Sequence, residues 1–162
     1  MIWTVLLLFA QAASSQTQIE RGEALFFNQE KGCGGCHALK GKGTAVGPDL
    51  KAIGRLAPAA IAMAVHSSVT QYVEMVKTKE GDSFPGYTAG KEGDKLVIFD
   101  LSKNPPEKKV LAAADVTKSG NDKWQHPPAK AKIDAKDLAD IVAYIRFAAS
   151  GSRTAVDPAD VQ

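Results

Sequence analysis

Cys33 and Cys36 stand three positions apart, and His37 follows the second thiol at once. Two thiols at this spacing can add to the two vinyl groups on one edge of a porphyrin. Gly34 and Gly35 let the backbone turn tightly between them. His37 is then held under the metal and offers a ring nitrogen to iron. The pentapeptide reads as a covalent haem attachment site. Its competitors fit less well. A structural zinc site takes four ligands, commonly from two paired clusters, and the chain has no second cysteine pair. A thioredoxin-like redox pair sits near a βαβ pattern, and none precedes Cys33.

The elements that must position this site can be read from capping and periodicity. Thr17-Gln18-Ile19-Glu20 has capping-box spacing, which predicts a helix running to Phe27 and stopping near Asn28. Pro58 to His66 reads as a short apolar helix with proline in its first turn. Asp134 and Asp137 suit the first turn of a last helix. Leu138, Ile141, Val142, Ile145 and Phe147 give that helix an apolar stripe up to Gly151. Residues 152–162 are polar and are expected to form a flexible tail.

Between the second and last helices the texture changes. Tyr72 to Thr78 alternates with period two, Lys95 to Asp100 is β-branched and aromatic, and Lys108 to Leu111 is a shorter run. Gly81-Asp82, Gly93-Asp94 and Asn104-Pro105-Pro106 punctuate them as turns. These predict a small antiparallel sheet inserted over residues 71–117, with Ser83 to Gly90 a further strand or loop.

Residues 1–15 begin with a short apolar run followed by small residues. They read as a signal peptide with Ala10-Gln11-Ala12 as a cleavage site, although no Lys or Arg precedes the run. The run is too short to span a bilayer comfortably, so membrane association would need an uncleaved N-terminus. Without this leader about 145 residues remain, enough for one ordinary core. Lys and Arg total 20 against 18 Asp and Glu, a net charge of +2. That balance leaves the partner's charge open. No basic patch interleaved with aromatics suggests nucleic acid. Both cysteines are spent on haem, leaving none for structural disulfides.

Taken together, these motifs resemble class I c-type cytochromes carrying one haem. Gly22-x-x-x-Phe26 and Ile141-x-x-Tyr144 match that family's crossing of first and last helices. Gly47-Pro48-Asp49-Leu50 resembles its loop after the haem histidine. The resemblance covers 19–56 and 123–149, and implies a mainly α fold carrying the sheet as an insertion, with a cytochrome c domain over 16–151. In outline the chain is similar to haem-binding domains of secreted bacterial dehydrogenases. By analogy the Pro48 carbonyl accepts from the His37 ring, and Arg55 neutralises a haem propionate. The family usually takes its second axial ligand, a methionine, from the loop before the last helix. Here that loop holds Trp124, Gln125, His126 and Pro127 and no methionine, and His126 stands where Met-Pro is expected. His126 is therefore the expected second ligand, with Trp124 beside the haem. Three rivals stay open: Met63, expected in the core of the middle helix; Met75, expected in sheet packing; and His66, at the end of that helix.

Imidazole in place of thioether stabilises ferric iron, so a His37/His126 pair lowers the potential relative to a His/Met pair. The expected function is single-electron transfer by a periplasmic or otherwise exported monomer, not an enzyme. Its partners would be a dehydrogenase or respiratory complex. Lys31, Lys40, Lys42 and Lys51 flank the attachment loop and could form a cationic rim for an acidic partner, or be ordinary solvated surface. The alternative is a haem-based gas sensor or peroxidase-like enzyme in which the distal ligand is displaced.

Overall fold

The computed structural model describes residues 16–28, 32–67, 72–120, 124–127 and 133–162. The leader, Lys31 and Gln71 lie outside the described residues. Among them run three α-helices, α1 (Gln18–Phe26), α2 (Pro58–His66) and α3 (Ala135–Ser150), and five strands. The strands are β1 (Val73–Thr78), β2 (Ser83–Glu92), β3 (Lys95–Asp100), β4 (Glu107–Ala112) and β5 (Val116–Gly120). Among the described residues, helix and strand are nearly equal in number, so the fold is mixed α and β rather than mainly α.

Each helix starts where its end chemistry dictates. The Thr17 hydroxyl accepts from the Glu20 amide, while the Glu20 carboxylate accepts from the Thr17 amide at 2.7 Å. Asp134 caps α3 by accepting from the Asp137 amide, 2.8 Å away, and Gly151 ends it in the left-handed region at φ 76°. The apolar stripe expected on α3 is in fact a girdle: every residue from Leu138 to Ile145 is buried. It is buried all round because α1, α2, the 3₁₀ turn Ile53–Arg55 and the C-terminal turn Pro158–Val161 all pack against it. Phe147 lies past the girdle, half-buried, with the Lys40 ammonium 4.2 Å from its ring centroid.

The crossing of α1 on α3 depends on Gly22. A Cβ there would lie 1.9 Å from the Asp140 carbonyl oxygen and 2.9 Å from the Tyr144 Cβ. One turn on, Phe26, Phe27 and Tyr144 interlock with ring centroids 4.9 to 6.0 Å apart.

The tail is not frayed. The Gln18 side-chain amide donates to the Val156 carbonyl and accepts from its amide, both at 2.9 Å, as a paired strand would. Val156 and Val161 are then buried in the helical core. Nor is Met63 in the core: Ile61, Ala62 and Val65 form the inward face of α2, and Met63 points outward, 75% exposed.

The strands form an antiparallel sheet in the order β4-β3-β2-β1-β5. It extends beyond 117 to Gly120, through a fifth strand paired to β1. The order carries a geometric consequence. β4 and β5 are opposite edges of the sheet, yet only Ala113–Asp115 separates them. Four flat strand spacings would need about 19 Å, whereas four residue steps reach about 14 Å at most. The sheet must therefore curl into a partly open barrel. Consistent with this, Leu111 of β4 and Val116 of β5 pack on one cluster of Val76, Phe84, Leu96 and Ile98. That cluster is separate from the helical core.

Candidate haem site

The attachment turn is built outward from the helix crossing. Phe27 packs against Gly34, which seats the 3₁₀ turn Cys33–Gly35 on the end of α1. The Cys33 carbonyl accepts from the amides of Cys36 (3.1 Å) and His37 (2.8 Å), fixing both thiols and the imidazole on one turn. The following loop folds back underneath, with the amides of Val46 and Gly47 donating to the Cys36 carbonyl. This return brings Pro48 to His37. The Nδ1–H of His37 donates to the Pro48 carbonyl at 2.8 Å, which leaves Nε2 with its lone pair free.

On the other side stands His126. Its ring centroid lies 6.0 Å from that of His37, with the two planes at 82°. Its Nδ1–H donates to the Val65 carbonyl, 3.2 Å away, in the last turn of α2. That carbonyl belongs to the group at a helix end with no intrahelical partner. Trp124 flanks His126, with centroids 6.5 Å apart. Sequence reasoning had no way to find Val65, because it acts through its carbonyl and lies in a different element.

Burial holds the His37 pKa below the usual imidazole value, against the opposing bond to Pro48. Burial lowers that of His126 too, opposed by the bond to Val65 and helped by the proximity of His37. Both rings are thus neutral near pH 7, the form that binds metal. The thiols are unbridged. Burial, with Cys36 close by, pushes the Cys33 thiol up to about 11, and burial raises Cys36 as well. Among the described residues no group of three or more His, Cys, Asp or Glu could hold a metal ion.

A porphyrin iron fits this donor set. His37 and His126 would hold such an iron through Nε2, and their centroid separation of 6.0 Å would leave room for one metal between two imidazole nitrogens. The other candidates lie elsewhere. His66 ends α2 exposed to solvent, Met63 points outward, and Met75 is half-buried on β1 opposite Pro85 and Ser119.

Residues 19–96 match the protein-family model described as Cytochrome c. This chain carries a cytochrome c domain. Its cofactor is haem c, with iron, covalently bound, and the cysteine pair fits the attachment motif. Haem binding and electron transfer are the domain's work. The match runs on through β1 and β2 into β3 and stops before His126 and α3, unlike the two flanking stretches that carried the resemblance. No curated protein matches the chain.

The structure places Cys33, Cys36, His37, Pro48, His126 and Trp124 around one locus. Arg55 is exposed and lines a surface depression with Asp49, Lys51 and Ala52. Of the lysines expected at a rim, Lys40 is held over Phe147 and Lys42 pairs with Glu23 at 3.1 Å. The barrel also reaches the site. Asn104, in the β3–β4 loop, comes within contact distance of Gly35 in the attachment turn, 3.6 Å from where a Cβ would stand.

Proposed function

We propose that this chain is an exported single-haem electron carrier whose iron is held between His37 and His126. The observation that carries the proposal is the pair of neighbouring imidazoles, ring centroids 6.0 Å apart, each tied by Nδ1 to a main-chain carbonyl. Each keeps Nε2 for a metal. The haem supplies one-electron chemistry, and the protein sets its potential and surroundings. Two imidazole donors favour ferric iron more than imidazole with thioether, so the potential falls below that of a His/Met site.

Filled axial positions favour outer-sphere transfer over binding of oxygen or peroxide. That weighs for a carrier serving a dehydrogenase or respiratory complex, and against a gas sensor or peroxidase. Arg55 supplies positive charge for a propionate in this reading. Lys51, in the same exposed depression, belongs to the surface an acidic partner would meet.

The test is a potential measurement. His126→Met should raise the midpoint potential, because sulfur stabilises ferrous iron, while His66→Ala should leave it unchanged. A potential that responds to His66→Ala and ignores His126→Met would reverse the ligand assignment.

A further inference from the structure

We infer that the fold clamps the two axial imidazoles at right angles, and that Gly47, with the Pro48 and Val65 carbonyls, is the positioning device that sets this angle. The inference rests on the bis-histidine reading and goes beyond it, since ligand identity alone says nothing about ring orientation.

Three observations define the clamp. His37 is held by Nδ1 on the Pro48 carbonyl at 2.8 Å, and His126 by Nδ1 on the Val65 carbonyl at 3.2 Å. These acceptors sit on different elements, the loop after the attachment turn and the end of α2, so the two rings are oriented independently. The third contact is Gly47. A Cβ there would fall 2.4 Å from Cε1, 2.7 Å from Nδ1 and 3.0 Å from Nε2 of His37. The ring thus lies where a side chain at 47 would stand, so only glycine there leaves His37 in this orientation. The outcome is an interplanar angle of 82°.

The angle matters because an imidazole donates π density perpendicular to its own plane. Aligned rings both donate into the same one of the two iron d orbitals available for π bonding. That splits the pair and stabilises the ferric state. Crossed rings donate one into each, leaving the pair nearly degenerate. A crossed centre therefore has a higher potential than an aligned bis-histidine centre, though sulfur would raise it further. Ring orientation tunes the potential within the limits set by the ligands.

The readout is the electron paramagnetic resonance spectrum of the ferric holoprotein near liquid-helium temperature. Crossed rings give one strongly anisotropic low-field feature, and that is the expected result. A resolved three-line rhombic low-spin spectrum would overturn the clamp while leaving two histidine ligands in place. A high-spin spectrum, or a near-infrared sulfur-to-iron band, would overturn the bis-histidine reading and the clamp with it. Gly47→Ala places a Cβ 2.4 Å from the His37 ring and is expected to turn it, so its spectrum should shift toward the rhombic form and its midpoint potential should fall. Gly90→Ala, where an added Cβ meets nothing within 4 Å, should change neither. If Gly47→Ala gives the wild-type spectrum and potential, Gly47 does not set the angle. Should that variant fail to take up haem, the wild-type spectrum alone decides whether the rings are crossed.

Discussion

Asp140 sits in the buried girdle of α3, its side chain 1% exposed, and receives Arg21 in a two-pronged contact at 2.7 and 2.9 Å. Lys136 adds a third bond at 3.2 Å. Burial pushes its carboxyl pKa up, but the bonds from Arg21, Lys136 and Gln18 outweigh burial and leave it below the ordinary value. The folded pKa is depressed, so the contribution is complete above the unfolded pKa and is lost as pH falls through the folded one. Asp140→Asn is expected to be less stable at pH 7 and to lose less stability between about pH 5 and pH 2 than the parent. Denaturant titrations across that range check this, and parallel curves would contradict it. At this scale the sequence was legible where chemistry is local. The Cys33-x-x-Cys36-His37 spacing spans five residues, while the bond from His37 to the Pro48 carbonyl was expected only from the resemblance of Gly47-Pro48-Asp49-Leu50 to the family's loop. The Arg21–Asp140 pair and the Val65 carbonyl were not legible, because each joins distant elements through an atom or geometry that residue type does not announce.

Capping signals placed the helices well. Thr17 with Glu20, Pro58, and Asp134 with Gly151 mark ends that the structure reproduces within a residue or two. β5 escaped because Val116-Thr117-Lys118-Ser119-Gly120 holds a single apolar residue. It is a strand because its backbone pairs with β1, which composition does not reveal. The C-terminal segment escaped for a similar reason, its docking resting on Gln18 and two isolated valines. Two element-scale outcomes follow. Gly22→Ala should separate α1 from α3 and cost about 1–3 kcal/mol or more, as overpacking does, read as a lower midpoint in chemical denaturation. Deleting residues 152–162 removes the buried Val156 and Val161 and exposes the helical core they cover, which should lower the melting temperature by several degrees, on the order of 1.5–3 kcal/mol per buried valine lost. An unchanged melting temperature would mean that the docked tail adds nothing to the core.

At the scale of the whole molecule, the described residues form two apolar clusters, one among the helices and one inside the curled sheet. The strands' main contacts are with each other, and the helices' with each other and with short turns. Replacing residues 72–120 with a short flexible bridge should therefore leave a helical domain that still attaches haem through Cys33 and Cys36. Absorbance of the shortened protein after acid–acetone extraction reads this, and failure to retain haem would show that the barrel completes the core. The same excision removes Asn104 from beside Gly35, so the remaining haem should react faster with small external reductants if that loop screens the attachment edge.

The central claim, two histidines on one iron, meets its most direct test in carbon monoxide binding to the reduced holoprotein, followed by absorbance. On the proposed ligation His126 fills the position the gas would take, so wild-type protein should bind it negligibly, whereas His126→Ala should bind it readily. Tight binding by the wild-type protein, or binding gained through His66→Ala but not His126→Ala, would contradict the account.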